Sequence, residues 1–480
     1  MPAEEYASDH FRTHKTAIKL ASAHFSPEQL NDRFEFSQRF KTLAFGLIGV
    51  GLVLIIVGAL FGSPNGSESH GDDHGHAALT EQSDIRAVSD QQEAHGEEHA
   101  GEHGEEHGGG HHHKEATVFT RILSNLLLSG LYFMTIGMGA LFFLTIHKVG
   151  NAGWHIAIRR IPEAITQYLP YGAIALAVIF LFMGEVYEWV AIPEGSDAII
   201  DSKRGYLNVP FWIIRSVIFF VVWSLVAIYI RRQSTLQDQE GGLTHFGREQ
   251  KISAFFVVFF ALSYSLFAVD WIKSLEPHWF STIFFVYIFA GSMVSSMVTI
   301  YLITAYLKDQ GHMSYVNDAH FHDLGKYTFG FSVFWAYIWV AQYLLIWYSN
   351  IPEEGIYYVK RYRVEDSAYL GYSFWFYSNV IINFVTPFFI LMTRNNKRKL
   401  ITFLPVAAVL LYGHWHDLYL MIMPGAMGEN PGIGFIEIGF FALFAGIFIF
   451  VVFNSLSKAN LVPTKHPYLE ESLHHSTGEV

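Results

Sequence analysis

The chain has 480 residues, 51% of them hydrophobic, 16% aromatic and only 15% charged, a composition too apolar for a water-soluble protein of this length. Its formal net charge of -12 argues against nucleic acid as a partner. With no Cys, it holds no disulfide, thiolate-bound iron–sulfur cluster or thioether-linked haem.

About 20 mainly apolar residues suffice for a helix to cross a bilayer, and runs of that kind recur along the chain. Residues 1–40 read as a polar tail with a helix start at Ser26-Pro27-Glu28-Gln29, and 41–61 as the first transmembrane helix, its apolar run at 43–61. No small-residue cleavage site accompanies Gly62 and Ser63, so this segment reads as a retained helix rather than a signal peptide. Residues 62–117 form an external loop of Gly, Glu and His, carrying His70, His74, His76, His95, His99, His103, His107 and the run His111, His112 and His113. Such a tract buries too little apolar surface to fold alone. A polar tether is the plain reading; a reservoir for zinc, nickel or copper is the sharper one. Glu does not directly follow His95, so the metalloprotease pattern is absent.

Nine more apolar segments lie at 118–146, 165–190, 209–230, 252–270, 280–306, 327–349, 368–392, 400–423 and 435–453. They predict a nine-helix membrane domain over 118–455, followed by a polar tail at 456–480. The fold class is therefore all-α and polytopic, with about ten transmembrane helices. Pro387 lies inside a segment, where it would kink the helix, whereas Pro277, Pro424 and Pro431 are expected at helix ends. Gly58 with Gly62, and Gly291 with Ser295, offer small-residue spacing for helix packing. With both termini on one side, that side holds roughly 21 Lys and Arg against roughly 9 on the other, which assigns the termini to the cytoplasm. Lys360, Arg361 and Arg363 oppose this bias and are expected to pair with Glu353, Glu354 and Asp366 or to meet an acidic partner.

Charged groups inside a membrane usually face other helices or a wet cavity. Glu185 and Glu188, three apart, predict one shared helical face near the outer end of the third segment. Arg215 lies about 8 Å inside the fourth at 1.5 Å per residue, and Asp270 closes the fifth. His414 and Asp417 share a face late in the ninth, with His416 directed elsewhere, and Glu437 opens the tenth. These predict one outer cluster for proton acceptance and release, or simple interfacial solvation. The inner halves show only neutral candidates, among them Gln167, Tyr168, Thr299, Tyr301, Thr304 and Thr328. His414 and His416 share one helix, which argues against bis-histidine haem and a haem-copper core, and no Gly-rich phosphate loop is present. Two classes remain: a quinone- or proton-handling subunit of a redox complex, or a secondary transporter.

The segment Asp270-Trp271-Ile272-Lys273-Ser274-Leu275-Glu276-Pro277-His278-Trp279-Phe280-Ser281-Thr282 joins two helices through a short aromatic turn. With Phe284-Phe285-Val286-Tyr287-Ile288-Phe289-Ala290-Gly291-Ser292 and Tyr412-Gly413-His414-Trp415-His416-Asp417, it resembles the NrfD and polysulfide-reductase type of membrane subunit. In particular the chain resembles the large membrane subunits of bacterial alternative complex III, the quinol:cytochrome c oxidoreductase. The resemblance covers about 122–453, and the single helix ahead of a long acidic, His-rich loop looks like the F subunit, called quinone-binding subunit 2. The C subunit is the one usually placed against the iron–sulfur protein for quinol oxidation.

That resemblance implies two central four-helix bundles in the bacterial cytoplasmic (inner) membrane. It implies lipid, a homologous large membrane subunit, an iron–sulfur subunit and a multihaem cytochrome c as partners. Haem c and iron–sulfur clusters are expected on those partners and no redox cofactor or metal on this chain, with quinone as a candidate ligand. The proton-pathway candidates are Glu185, Glu188, Arg215, Asp270, His414, His416, Asp417 and Glu437. A quinol would use His414 or Asp417 as proton acceptor and Trp271 or Trp415 as an aromatic wall. The alternatives are a stand-alone proton-coupled transporter and a passive membrane anchor.

Overall fold

The structure, a computed structural model, describes residues 30–61, 117–362, 372–428 and 432–477. The His-rich loop up to Ala116, the helix start at Ser26, and Arg363, Asp366 and Pro431 lie outside the described residues. Ten helices are long and apolar enough to cross a membrane. They are α1 (Gln38–Phe61), α2 (Val118–Val149), α3 (Arg160–Leu181), α4 (Val209–Glu240) and α5 (Thr244–Trp271). The second half comprises α6 (Phe284–Asp309), α7 (Asp318–Ser349), α8 (Ser373–Leu391), α9 (Leu400–Met427) and α10 (Phe435–Leu456). Among the described residues there is no β-strand, only an isolated antiparallel bridge between Arg33 and Asn460.

Side-chain caps set several helix starts. Thr117 accepts the amide of Thr120 at the head of α2, Asn208 that of Phe211 in α4, and Asn317 those of Ala319 and His320 in α7. Helices α2 to α5 pack together, as do α6 to α9, giving two four-helix groups that meet along α2, α6 and α9. Those three are the most enclosed of the ten and α1 the least. Large apolar side chains such as Val53, Ile214, Val258 and Leu345 point outward, as a lipid-facing surface requires.

Close backbone approach explains where α1 sits. A Cβ on Gly51 would lie 2.6 Å from the Leu443 backbone nitrogen, so only glycine lets α1 meet α10 this closely. Gly58 does the same against Ile436. Ten crossings return the chain to its starting face, where Leu461 N–H donates to the Asp32 carbonyl. This is the chain-end face; the other is the far face.

Three elements differ from the sequence expectation. The third segment is not one helix to 190: Phe182 (φ -132°, ψ 30°) and the extended Tyr187 break it into short pieces, Met183–Val186 and Glu188–Ala191. Pro424 lies inside α9 rather than at its end, as does Pro405. In α8 the turn Ile381–Val385 ahead of Pro387 is π-helical, a local widening that goes with the missing proline N–H.

Candidate functional site

Asp417 on α9 is the centre of the best-built site. Its Oδ1 accepts hydrogen bonds from Asn379 Nδ2 (2.7 Å) and from the Tyr287 hydroxyl, and its Oδ2 accepts one from Trp335 Nε1 (2.9 Å). Donors thus arrive from α8, α6 and α7, all neutral, and the carboxylate is buried with no cation among its partners. The π-helical turn positions the α8 side of the site. Asn383 Nδ2 donates to Asn379 Oδ1 (2.6 Å) and to the Gly413 carbonyl (3.0 Å). A Cβ at Gly413 would lie 2.2 Å from Asn383 Oδ1, so α9 needs glycine there.

Small cavities flank the carboxylate. One of ≈ 20 Å³, bordered by Tyr287, Gln342, Tyr358, Arg361 and Asn379, has room for about one water molecule. Another of ≈ 10 Å³ lies toward Tyr132, Thr135, Ser292, Ser295 and His414. Both ring nitrogens of His414 are buried without a hydrogen-bond partner. As the spacing predicts, His414 and Asp417 share this pocket, while His416 turns to Trp375 and Tyr412. Tyr132 also borders an apolar cavity of ≈ 340 Å³ walled by Phe133, Leu302, Phe441 and Phe448.

The other predicted residues do not join Asp417 in one outer cluster; each acid has its own partners. Arg215 clamps Asp270 with two 2.9 Å bonds and lies 4.0 Å over the Tyr206 ring. Glu437 is held by Arg121 through two 2.8 Å bonds, by Asn125 Nδ2 (2.8 Å) and by Gly434 N–H (2.8 Å). Glu185 is half-buried and Glu188 exposed, and the extended Tyr187 between them removes the shared helical face. Trp271 packs on Trp212, Phe180, Phe220 and Phe267 and donates to Ser216, all away from the Asp417 pocket. Trp415 faces Tyr412, Tyr419 and Phe441. Neither tryptophan walls the His414–Asp417 pocket. Arg361 and Lys360 pair with Glu276, not with Glu353 or Glu354.

The chain-end halves of the helices are not free of charge. Arg159 binds Glu163 (2.8 Å) and Glu249, Arg160 binds Glu163 (2.7 Å) and Asp238, and Lys148 lies 3.2 Å from Glu249. Three cations are thus paired with three carboxylates, as burial demands, and Arg231 also acts on Glu163. The described tail caps this network: His466 contacts Arg159 (3.2 Å), and Ser472 Oγ accepts from Ala157 N–H (2.9 Å) and donates to the Trp154 carbonyl (2.6 Å). His155, outside the membrane spans, is held well below the ordinary histidine value by burial and by His147, Arg159 and Lys148. His466 is lowered likewise by burial and by Arg159 and Lys148.

Several functional residues were not singled out in the sequence: Tyr287, Trp335, Asn379 and Asn383 around Asp417, and Arg121 opposite Glu437. Asn379 and Asn383 carried a usable signal, two amides one helical turn apart in an apolar run. No protein-family model and no curated protein sequence matches this chain.

Proposed function

We propose that this chain is an integral membrane subunit of a respiratory quinol:cytochrome c oxidoreductase of the alternative complex III type, and that Asp417 carries a proton within it. On this reading it resides in the bacterial cytoplasmic membrane with both termini in the cytoplasm. Its partners are a homologous large membrane subunit, an iron–sulfur subunit and a multihaem cytochrome c that supply the redox groups. The resemblance of the stretches around Asp270, Phe284 and Tyr412 supplies the family, and two of them contain Tyr287 and Asp417.

The observation that carries the proton role is the contrast among buried acids. Asp270, Glu437 and Glu276 are each clamped by an arginine, whereas Asp417 is held by neutral donors alone. Protonating a clamped carboxylate forfeits a buried ion pair and leaves its arginine uncompensated, which costs several kcal/mol. Asp417 has no such pair to lose. The Tyr287 hydroxyl can donate to the carboxylate or accept from the acid, so both states are accommodated. His414, with two unpartnered nitrogens in the adjoining cavity, is the neighbouring acceptor.

Asp417→Asn tests this, because the amide keeps the size and removes the titrating proton. In the reconstituted complex quinol oxidation should persist while protons translocated per electron fall. Unchanged stoichiometry at equal turnover would make Asp417 a structural group. A second reading is favoured by Tyr132, which borders both the His414 cavity and the ≈ 340 Å³ apolar one: a quinol head at His414 and Asp417 with its tail in the apolar cavity. A photoaffinity quinone that labels solely another subunit removes that reading. Purification from native membranes addresses the stand-alone transporter and passive-anchor alternatives. Co-purifying haem c absorbance with iron–sulfur and multihaem subunits supports the complex, and a colourless, stable, solitary chain favours transport.

A further inference from the structure

The ≈ 10 Å³ void against Asp417 lies between α2, α6 and α9, and its polar lining is Tyr132, Thr135, Ser292, Ser295, His414 and Asp417. Each hydroxyl there already has a use for its one proton. Thr135 donates to the Tyr132 carbonyl (2.7 Å), Ser292 to the Ile288 carbonyl (2.8 Å) and Tyr132 to the Leu411 carbonyl (2.7 Å). Tyr264 is therefore the donor in its bond to Ser292, and Ser295, hydrogen-bonded to the Tyr132 hydroxyl, donates to it. A hydroxyl has one proton and two lone pairs. What these four groups have left to offer is lone pairs.

The void also has the charge that a cation needs. Asp417 borders it, buried, with three neutral donors, and no Lys or Arg lines the space. A buried carboxylate is costly until a proton or a cation compensates it. His414, 3% exposed with neither ring nitrogen bonded, lines the same void, and its neutral ring offers one further lone pair. That ring is held between Trp335 (5.8 Å, 81°) and Gly291, where a Cβ would lie 3.1 Å from Nδ1. Carboxylate and hydroxyl oxygens are the ligands of hard cations. At ≈ 10 Å³ the space is at the lower limit for one water molecule. A bare sodium ion is smaller than that, whereas a hydrated ion does not fit.

We propose that this void binds one dehydrated sodium ion, which competes with the proton for Asp417. The inference rests on the proton reading of Asp417 and adds a second occupant to the same carboxylate. Asp417, Thr135 and Ser295 are the ligands, arriving from α9, α2 and α6. Charge balances, because sodium enters the protonated site as the proton leaves, and the buried site is neutral in either state. The titratable groups facing Asp417 are His414 on its own helix, Tyr287 on α6 and Tyr132 on α2. Across the second void lie Tyr357, Tyr358 and Arg361, the last neutralised by Glu276.

Binding of radioactive sodium to the full chain, purified from its native membrane with the subunits that accompany it, tests this. One saturable site per chain should appear at alkaline pH, weaken as pH falls and resist displacement by excess potassium. Asp417→Asn should abolish it. Thr135→Val, which keeps the side-chain shape and removes an oxygen, should weaken it at least about tenfold, and Thr135→Ser, which restores the oxygen, should recover it. No saturable site at alkaline pH overturns the inference, as does a site of parental strength in both Asp417→Asn and Thr135→Val with thermal unfolding unchanged. Equal displacement by potassium overturns the identity of the ion. If Asp417→Asn lowers protons translocated per electron and no sodium binds, the proton reading stands and the sodium site falls. If sodium binds at Asp417 and that stoichiometry is unchanged, the site stands and the translocation reading falls.

Discussion

Asp417 and Glu437 are both buried acids on the helices that close the second half of the fold, yet they respond differently to loss of a partner. Among the described residues, Arg121 is the one cation that pairs with Glu437. Arg121→Ala leaves a buried carboxylate uncompensated and should destabilise the protein by about 3–5 kcal/mol, read as a drop in Tm in detergent or nanodiscs. Adding Glu437→Gln should restore a large part of that loss, because an amide can keep bonds to Asn125 and Gly434 without a charge; no recovery would show that Arg121 matters through packing. Two buried histidines at the chain-end face, both outside the membrane spans, give a pH signature. His155 and His466 have folded-state proton affinities well below the ordinary value of about 6.5. Between that depressed value and 6.5 the unfolded chain binds more protons than the folded one. Their contribution is therefore complete above about pH 6.5 and is lost progressively as pH falls below it. Tm should decline from pH 7 to pH 5, and His466→Asn should flatten the decline; an unaltered slope would place the pH sensitivity elsewhere.

At the scale of elements, α8 shows how a local irregularity builds a site. Pro387 offers no N–H to the preceding turn, the turn Ile381–Val385 widens into a π-helix, and Asn383 sits within it to brace Asn379 and the Gly413 carbonyl. Gly413→Ala would drive a methyl group into Asn383 and Ile382. Overpacking of this kind costs about 1–3 kcal/mol, and here it also displaces the Asn379 donor. The variant should lose both thermal stability and Asp417-dependent proton transfer, whereas Ala at the open Gly330 should lose neither. The number of spans and their placement were legible because each apolar run is close to the roughly 20 residues that a crossing needs, and the shared face of His414 and Asp417 followed from helical period alone. Partners were not legible: Arg121 and Glu437 are 316 positions apart, and nothing in spacing joins them. Glu163, Asp238 and Glu249 fall outside the apolar runs at 165–190, 209–230 and 252–270, yet α3, α4 and α5 begin or end beyond those runs, where buried ion pairs continue the helices. Glu185 and Glu188 were misplaced for the opposite reason, since Tyr187 interrupts a helix that hydropathy could not tell from a continuous one.

For the molecule as a whole, ten crossings bring the described segments before α1 and after α10 together at one face, and the tail locks onto the loop between α2 and α3 through Ser472. A Cβ on Gly153 would lie 2.3 Å from the Glu471 carboxylate, so a larger residue there would push that side chain aside. The chain-end face also carries Arg231 and Arg232 within the last three turns of α4, and Arg394, Lys397, Arg398 and Lys399 between α8 and α9. Insertion reads Lys and Arg near helix ends rather than net charge, so the buried pairs of Lys148, Arg159 and Arg160 do not weaken this signal. The expected orientation places this face in the cytoplasm. Because the chain has no Cys, single substitutions report on it directly. Ser202→Cys, exposed at the far face, should react with a membrane-impermeant maleimide in intact cells, whereas Gln239→Cys, exposed at the chain-end face, should react only after permeabilisation. The reverse pattern would invert the protein, and labelling of both sites in intact cells would break the ten-span topology itself.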